Sequence, residues 1–225
     1  EWLARQDLLT DRTILGHTIF TSGHSWINYP GRDLEIIAQS GASVAHCAWV
    51  FARRGVVMES FARYREAGIN MCLGSDTAPQ SMLVAMRMAS ILCKVADRDS
   101  RRASAREIFD AATLAPARVL GRDDLGRIAP GAKADLVIWD GLGLSMTPLR
   151  DPLRNLVFSA QSDDIAHVMV DGDWLMTDRR LTRLDERQAA RGLQDAAERV
   201  WRNMGPGDWA GRGIDALSPP ELEAY

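Results

Sequence analysis

The chain has 225 residues, a formal net charge of −3 and three cysteines. That length admits one large domain, or a barrel-sized piece with an appendage. The weakly acidic balance supplies no basic face for nucleic acid, no stretch approaches the roughly 20 apolar residues of a membrane span, and Cys47, Cys72 and Cys93 form neither a CxxC pair nor an even disulfide framework. Such cysteine usage suits a reducing compartment, so a cytoplasmic protein is expected.

The chain opens at Glu1-Trp2-Leu3, without Met and inside a helical pattern over Trp2 to Leu9, which points to a fragment or a processed chain. Thr18 to Gly23 is a candidate buried strand ending at His24; Asp33 to Gln39 has helical spacing and stops at Gly41. Ala42 to Ala45 reads as a second strand, ending at His46-Cys47. Val56 to Ala67 carries apolar positions at Val57, Phe61, Tyr64 and Ala67, predicting an amphipathic helix stopped by Gly68. The third strand, Gly68 to Leu73, runs into Gly74-Ser75-Asp76. Met82 to Ala96 is a long apolar-faced helix, and Ser104 with Glu107 is a capping box for a helix reaching Leu120. Short strands alternating with helices predict βα units and a parallel sheet.

The pattern changes at Gly121. "LGRIAPGAKADLVIWDG" leads into a β-branched strand over Ala134 to Trp139, and Asp164 to Met176 reads as a hairpin around Asp171-Gly172. Asp185 to Met204 is helical and polar, and the tail after Gly205 is rich in Gly and Pro. Three parts follow: 1–120 as βα units, 121–180 as a small β element, 181–225 as helix and irregular tail.

Three polar residues fall at predicted strand ends, His24, His46 and Asp76, where a parallel barrel gathers its catalysts. Each has an ordinary alternative: a hydrogen-bonded structural histidine, or an Asx turn before Thr77-Ala78-Pro79. A buried aspartate without a positive partner is strongly disfavoured as an anion, so Asp76 calls for one. His17 lies before the predicted strand and His167 in the hairpin, and neither is assigned a role. Trp26 and Trp49, each shortly after a strand end, can stack on a planar heterocycle or pack as core. Arg53 and Arg54 can grip an anionic group or lie as surface charges. "GRIAPGAK" fails as a phosphate loop, since Ala132 breaks the Gly-Lys pair; no Gly-x-Ser-x-Gly elbow occurs, nor the cysteine-rich zinc signature of nucleobase deaminases.

Taken in order, "TIFTSGH", "GASVAHC", "GINMCLGSDT", "MLVAMRMASILCKV", "AATLAPARVLG" and "LGRIAPGAKADLVIWD" resemble the carboxyl-terminal half of the amidohydrolase superfamily, in its cytosine deaminase, chlorohydrolase and S-adenosylhomocysteine deaminase branch. The resemblance covers nearly all of residues 1–185. It implies an α/β fold, a partial (β/α)8 barrel holding strands 6–8, with part of a small β-sandwich. It implies hydrolysis of a C–N or C–Cl bond on a small planar nitrogen-containing substrate. One divalent metal is implied, zinc first and iron or manganese as alternatives, held mostly by a His-x-His and a strand-5 His that this chain lacks. Asp76 would be the strand-8 metal ligand and proton shuttle. His24 would be the strand-6 histidine orienting substrate, with His46, Trp26, Trp49 and Arg53 lining the pocket. Where branch members often read Pro-x-Ser-Asn, this chain has Ala48-Trp49-Val50-Phe51, which replaces two polar pocket residues. The partner expected is the amino-terminal half of the same enzyme, and homo-oligomerisation stays open. A chain holding one of four ligands has a second reading: an incomplete fragment or subunit, inactive without that half.

Overall fold

Three short apolar runs, each followed by a polar break, become strands: β1 (Ile14–Gly16), β2 (Ser43–His46) and β3 (Asn70–Leu73). The computed structural model, which describes residues 1–222, pairs them in parallel in the order β1-β2-β3. The register sets Leu15 beside Val44 and Val44 beside Met71. Parallel strands need crossovers, and helices supply them. Helix α1 (Trp2–Arg5) precedes β1, α2 (Asp33–Ser40) joins β1 to β2, and α3 (Ala48–Ala52) with α4 (Phe61–Glu66) joins β2 to β3. Then come α5 (Met82–Asp97), α6 (Ala105–Ala112) and α7 (Leu114–Val119).

The first strand is not where the sequence pattern sets it. Thr18 to Gly23 is loop, and the strand ends before His17 rather than at His24. The backbone itself forbids extension, because His17 (φ 64°) and Thr18 (φ 49°) both turn into the left-handed region directly after Gly16. Two helices also depart from expectation. Val56 to Glu59 stays outside the helix, and α4 starts only after Ser60, whose hydroxyl accepts the Arg63 N–H at 3.0 Å. The run expected from Ser104 to Leu120 breaks at Thr113, because Pro116 has no N–H for the carbonyl one turn back. The Ser104–Glu107 capping box forms as the sequence predicts.

The core lies between the parallel sheet and its helices. Val44, Phe61, Tyr64, Ile108 and Val157 are all less than 2% exposed. The buried Ser90 hydroxyl of α5 donates to the Ala103 carbonyl at 2.7 Å, so burial leaves it no unmet hydrogen bond. A second sheet follows, made of β4 (Leu136–Trp139), β5 (Ile165–Val170), β6 (Asp173–Thr177) and β7 (Arg180–Leu181), in that order. Strands β4 and β5 pair antiparallel, and Asp171 (φ 49°) with Gly172 (φ 86°) forms the hairpin turn that Asp-Gly predicts. Helix α8 (Pro152–Phe158), absent from the sequence reading, has Asp151 accepting the Arg154 N–H at 3.1 Å and Pro152 in the first turn.

The chain divides into two compact units, residues 1–174 and the residues from 175 on. In the second, α9 (Glu186–Arg202) is capped by Asp185 and buries none of its residues. Among the described residues no helix is long and apolar enough to cross a membrane.

Ile108 sits in α6 with no exposed surface. Its truncation to alanine is expected to destabilise the chain by about 2–5 kcal/mol, against about 1 kcal/mol for Ser104→Ala at the adjoining cap, read from urea unfolding midpoints at constant m-value.

Candidate functional site

The carboxyl ends of β1, β2 and β3 lie together because backbone pairing continues past the last strand residues. The His17 N–H donates to the Ala45 carbonyl at 2.9 Å, and the Gly74 N–H donates to the His46 carbonyl at 3.1 Å. Those two bonds carry His17 and the Gly74–Asp76 loop to one end of the sheet. Space is tight at Gly74, where a Cβ would stand 3.0 Å from the Cys47 sulfur.

His17 Nε2 then stands 3.7 Å from an Asp76 carboxylate oxygen, although β1 and β3 are separated by β2. The His17 ring packs edge-on against Phe51 at 4.7 Å, and its Nδ1 is buried without a hydrogen-bond partner. Asp76 itself is 44% exposed in its side chain and holds φ 60°, a left-handed conformation that aspartate tolerates better than most residues. The pair therefore joins a fixed imidazole to an accessible carboxylate.

His24, expected to orient substrate, has both ring nitrogens engaged by the backbone. Its ring is 3% exposed; Nδ1 accepts the Trp26 N–H at 3.1 Å, which leaves Nε2–H to donate to the Val57 carbonyl at 2.9 Å. Both nitrogens are used in pinning the loop after β1 to the segment before α4. The sequence signal for His17 was the Thr13-Ile14-Leu15-Gly16 run, which ends in a histidine just as Ser43-Val44-Ala45 ends in His46. The neighbouring Thr18-Ile19-Phe20-Thr21 run is equally β-prone, so the pattern alone does not single out His17.

The remaining candidates separate. His46 is buried beside Phe61, and burial, with the His17 charge a lesser cause, lowers its pKa to about 4. Its Nδ1 has no hydrogen-bond partner, and it lines a cavity of about 10 Å³ with Met58, Phe61 and Cys93, the least that one water needs. Trp26 is exposed, with ring centres 6.1 Å from Phe20 and 6.4 Å from His24. Trp49 and Arg53, one turn apart at and just beyond α3, both point donors at the Ala78 carbonyl, at 3.3 and 3.5 Å.

Among the described residues no group of three His, Cys, Asp or Glu side chains is arranged to hold a metal. The donor chemistry agrees with a share of a site rather than a whole one. His17 presents Nε2 and Asp76 an accessible carboxylate, whereas burial and then the Asp76 charge push the nearby Cys47 thiol up to about 11, so it stays protonated near neutrality.

An α/β protein with ionisable side chains gathered at the carboxyl ends of parallel strands is the class that this fold and site define. Within that class the chain belongs to the amidohydrolase family, whose model matches residues 1–175. It is 32% identical over 208 residues to the 5-methylthioadenosine/S-adenosylhomocysteine deaminase of Halobacterium salinarum, covering 89% of this chain and 46% of that protein. Its structure is similar to an adenosine deaminase from Xanthomonas campestris with bound zinc (TM-score 0.80, 26% identity, 88% of this chain and 45% of that one). It is also similar to a mutant atrazine chlorohydrolase from Arthrobacter aurescens complexed with zinc and atraton (TM-score 0.74, 26% identity, 86% and 42%). The chain thus spans about half the length of the relatives it matches.

His46 gives a pH signature. Unfolded, its imidazole takes a proton near pH 6.5; folded, only near 4, so the unfolded state binds more protons between those values. Stability is expected to be level above pH 7 and to fall as pH drops from 6.5 toward 4, by about 1 kcal/mol per pH unit, with His46→Gln flattening that limb of the urea-derived profile.

Proposed function

We propose that the protein to which this chain belongs is a metal-dependent amidohydrolase that deaminates a small planar nitrogen-containing molecule. The observation that carries this reading is the approach of His17 Nε2 to Asp76 across the intervening strand, at the end of the sheet where a barrel would have its mouth. In this reading β1, β2 and β3 are barrel strands 6 to 8, and β4 to β7 belong to the small β-sandwich.

Asp76 would supply a metal ligand, with His17 beside it holding the attacking water or the substrate; His17 takes the place expected of His24. When bound, a divalent metal, zinc by similarity to the two solved neighbours, lowers the pKa of the attacking water to about 7. The second oxygen of Asp76 is the base that takes the water's proton and later returns it to the leaving amine, which departs neutral. Exposed Asp76 has room for both tasks, since His17 stands at 3.7 Å rather than in a closed ion pair. Trp26, exposed in the loop after β1, is kept as a stacking surface for a planar ring. Hydrolysis of a C–Cl bond is the second activity the similarities support, because one structural relative is a chlorohydrolase.

The chain also has the character of an incomplete unit. β1 and β3 are the two edges of an open parallel sheet, and exposed edges call for covering strands. The amino-terminal half of the same enzyme would supply them, together with the remaining metal ligands.

The test compares the full-length enzyme with the 225-residue chain. In the full-length enzyme, Asp76→Asn and His17→Asn are each expected to lower kcat for deamination of adenosine-type nucleosides by at least about 10²-fold. His24→Asn is expected to lower the melting temperature more than kcat. The isolated chain is expected to retain well under one equivalent of zinc by plasma mass spectrometry. Wild-type turnover in Asp76→Asn would overturn the reading.

A further inference from the structure

Asp76 needs something to hold it. Its backbone lies at φ 60°, a conformation that persists only where the surroundings impose it, and its side chain is substantially exposed, so packing around the carboxylate does not by itself aim it. Two residues further on, the Ala78 carbonyl accepts the Trp49 Nε1–H at 3.3 Å and, at longer range, an Arg53 guanidinium N–H at 3.5 Å. Both donors come from one short helical segment that starts directly after β2, with Trp49 in its first turn and Arg53 four residues on. That spacing puts them on the same side of the helix. Helix α3 is itself anchored, since Ala48 and Val50 are buried and its Phe51 packs on the His17 ring.

We propose that Trp49, assisted by Arg53, is a positioning residue: by holding the Ala78 carbonyl it fixes the loop that aims Asp76 at its place opposite His17. This inference rests on the function proposed for Asp76 and adds a role that stacking on a substrate would not require. One helix then sets both members of the pair, through Phe51 against His17 and through Trp49 on the Asp76 loop.

The two roles for Trp49 separate by chemistry. A stacking platform needs the indole face, whereas a clamp needs only the N–H. In the full-length enzyme, Trp49→Phe keeps an aromatic face and removes the donor. It is expected to lower kcat about tenfold with KM changed less than about twofold, and to release zinc to a chelator several-fold faster than wild type. Replacing Trp49 by benzothienylalanine removes the N–H while keeping ring size and volume, and is expected to do the same with no loss of melting temperature. Arg53→Ala is expected to move kcat in the same direction by a smaller factor. Wild-type kcat and zinc retention in the benzothienylalanine protein would overturn the clamp, as would a rise in KM alone in Trp49→Phe. Asp76→Asn distinguishes the failures: if it also behaves as wild type, the proposed function falls and the clamp with it; if it is inactive, only the clamp falls.

Discussion

The peptide between Ala45 and His46 is the point from which the rest of the site is built. The Ala45 carbonyl accepts the His17 N–H on one side and the His46 carbonyl accepts the Gly74 N–H on the other, each about 3 Å away. Backbone hydrogen bonds of this kind are nearly obligatory for buried strands, so they fix position more firmly than any side-chain contact could. The central strand is well buried, with Val44 wholly enclosed and Ser43 and His46 nearly so. Moving β2 by one residue would invert its faces and separate His17 from Asp76 at once.

Around that strand the chain places its polar groups unequally. His46 and His24 lie in the interior, one with its charged form suppressed by burial, the other with both nitrogens committed to backbone partners. His17 Nε2 and the Asp76 carboxylate face each other on partly exposed side chains. Trp49 and Arg53, expected beside the substrate, aim donors at the Ala78 backbone carbonyl.

A chain spanning about half the length of the relatives it matches has a core of its own, because βα units bury their apolar faces against their own helices. The cluster around Val44, Phe61 and Ile108 is continuous within residues 1–174. The edges of the parallel sheet differ from the core, and Ile14 on the edge strand β1 is exposed.

Much was legible from residues alone. The βα alternation, the capping box at Ser104, the Asp-Gly hairpin and the strand leading to Asp76 all depend on local chemistry: caps, turn dihedrals and short apolar runs. The family was legible for the same reason, since its motifs are short and ordered along the chain. What local chemistry could not decide was which of two adjacent β-prone runs, 13–16 or 18–21, would pair with β2. That choice belongs to the register with Ser43–Ala45 and to the left-handed turn at His17 and Thr18. It decided in turn which histidine faces Asp76. The sequence by itself determined that histidines and an aspartate would stand near strand ends; only the tertiary structure chose His17 over His24, because a hydrogen-bond ladder is a relation between strands and no single strand contains it.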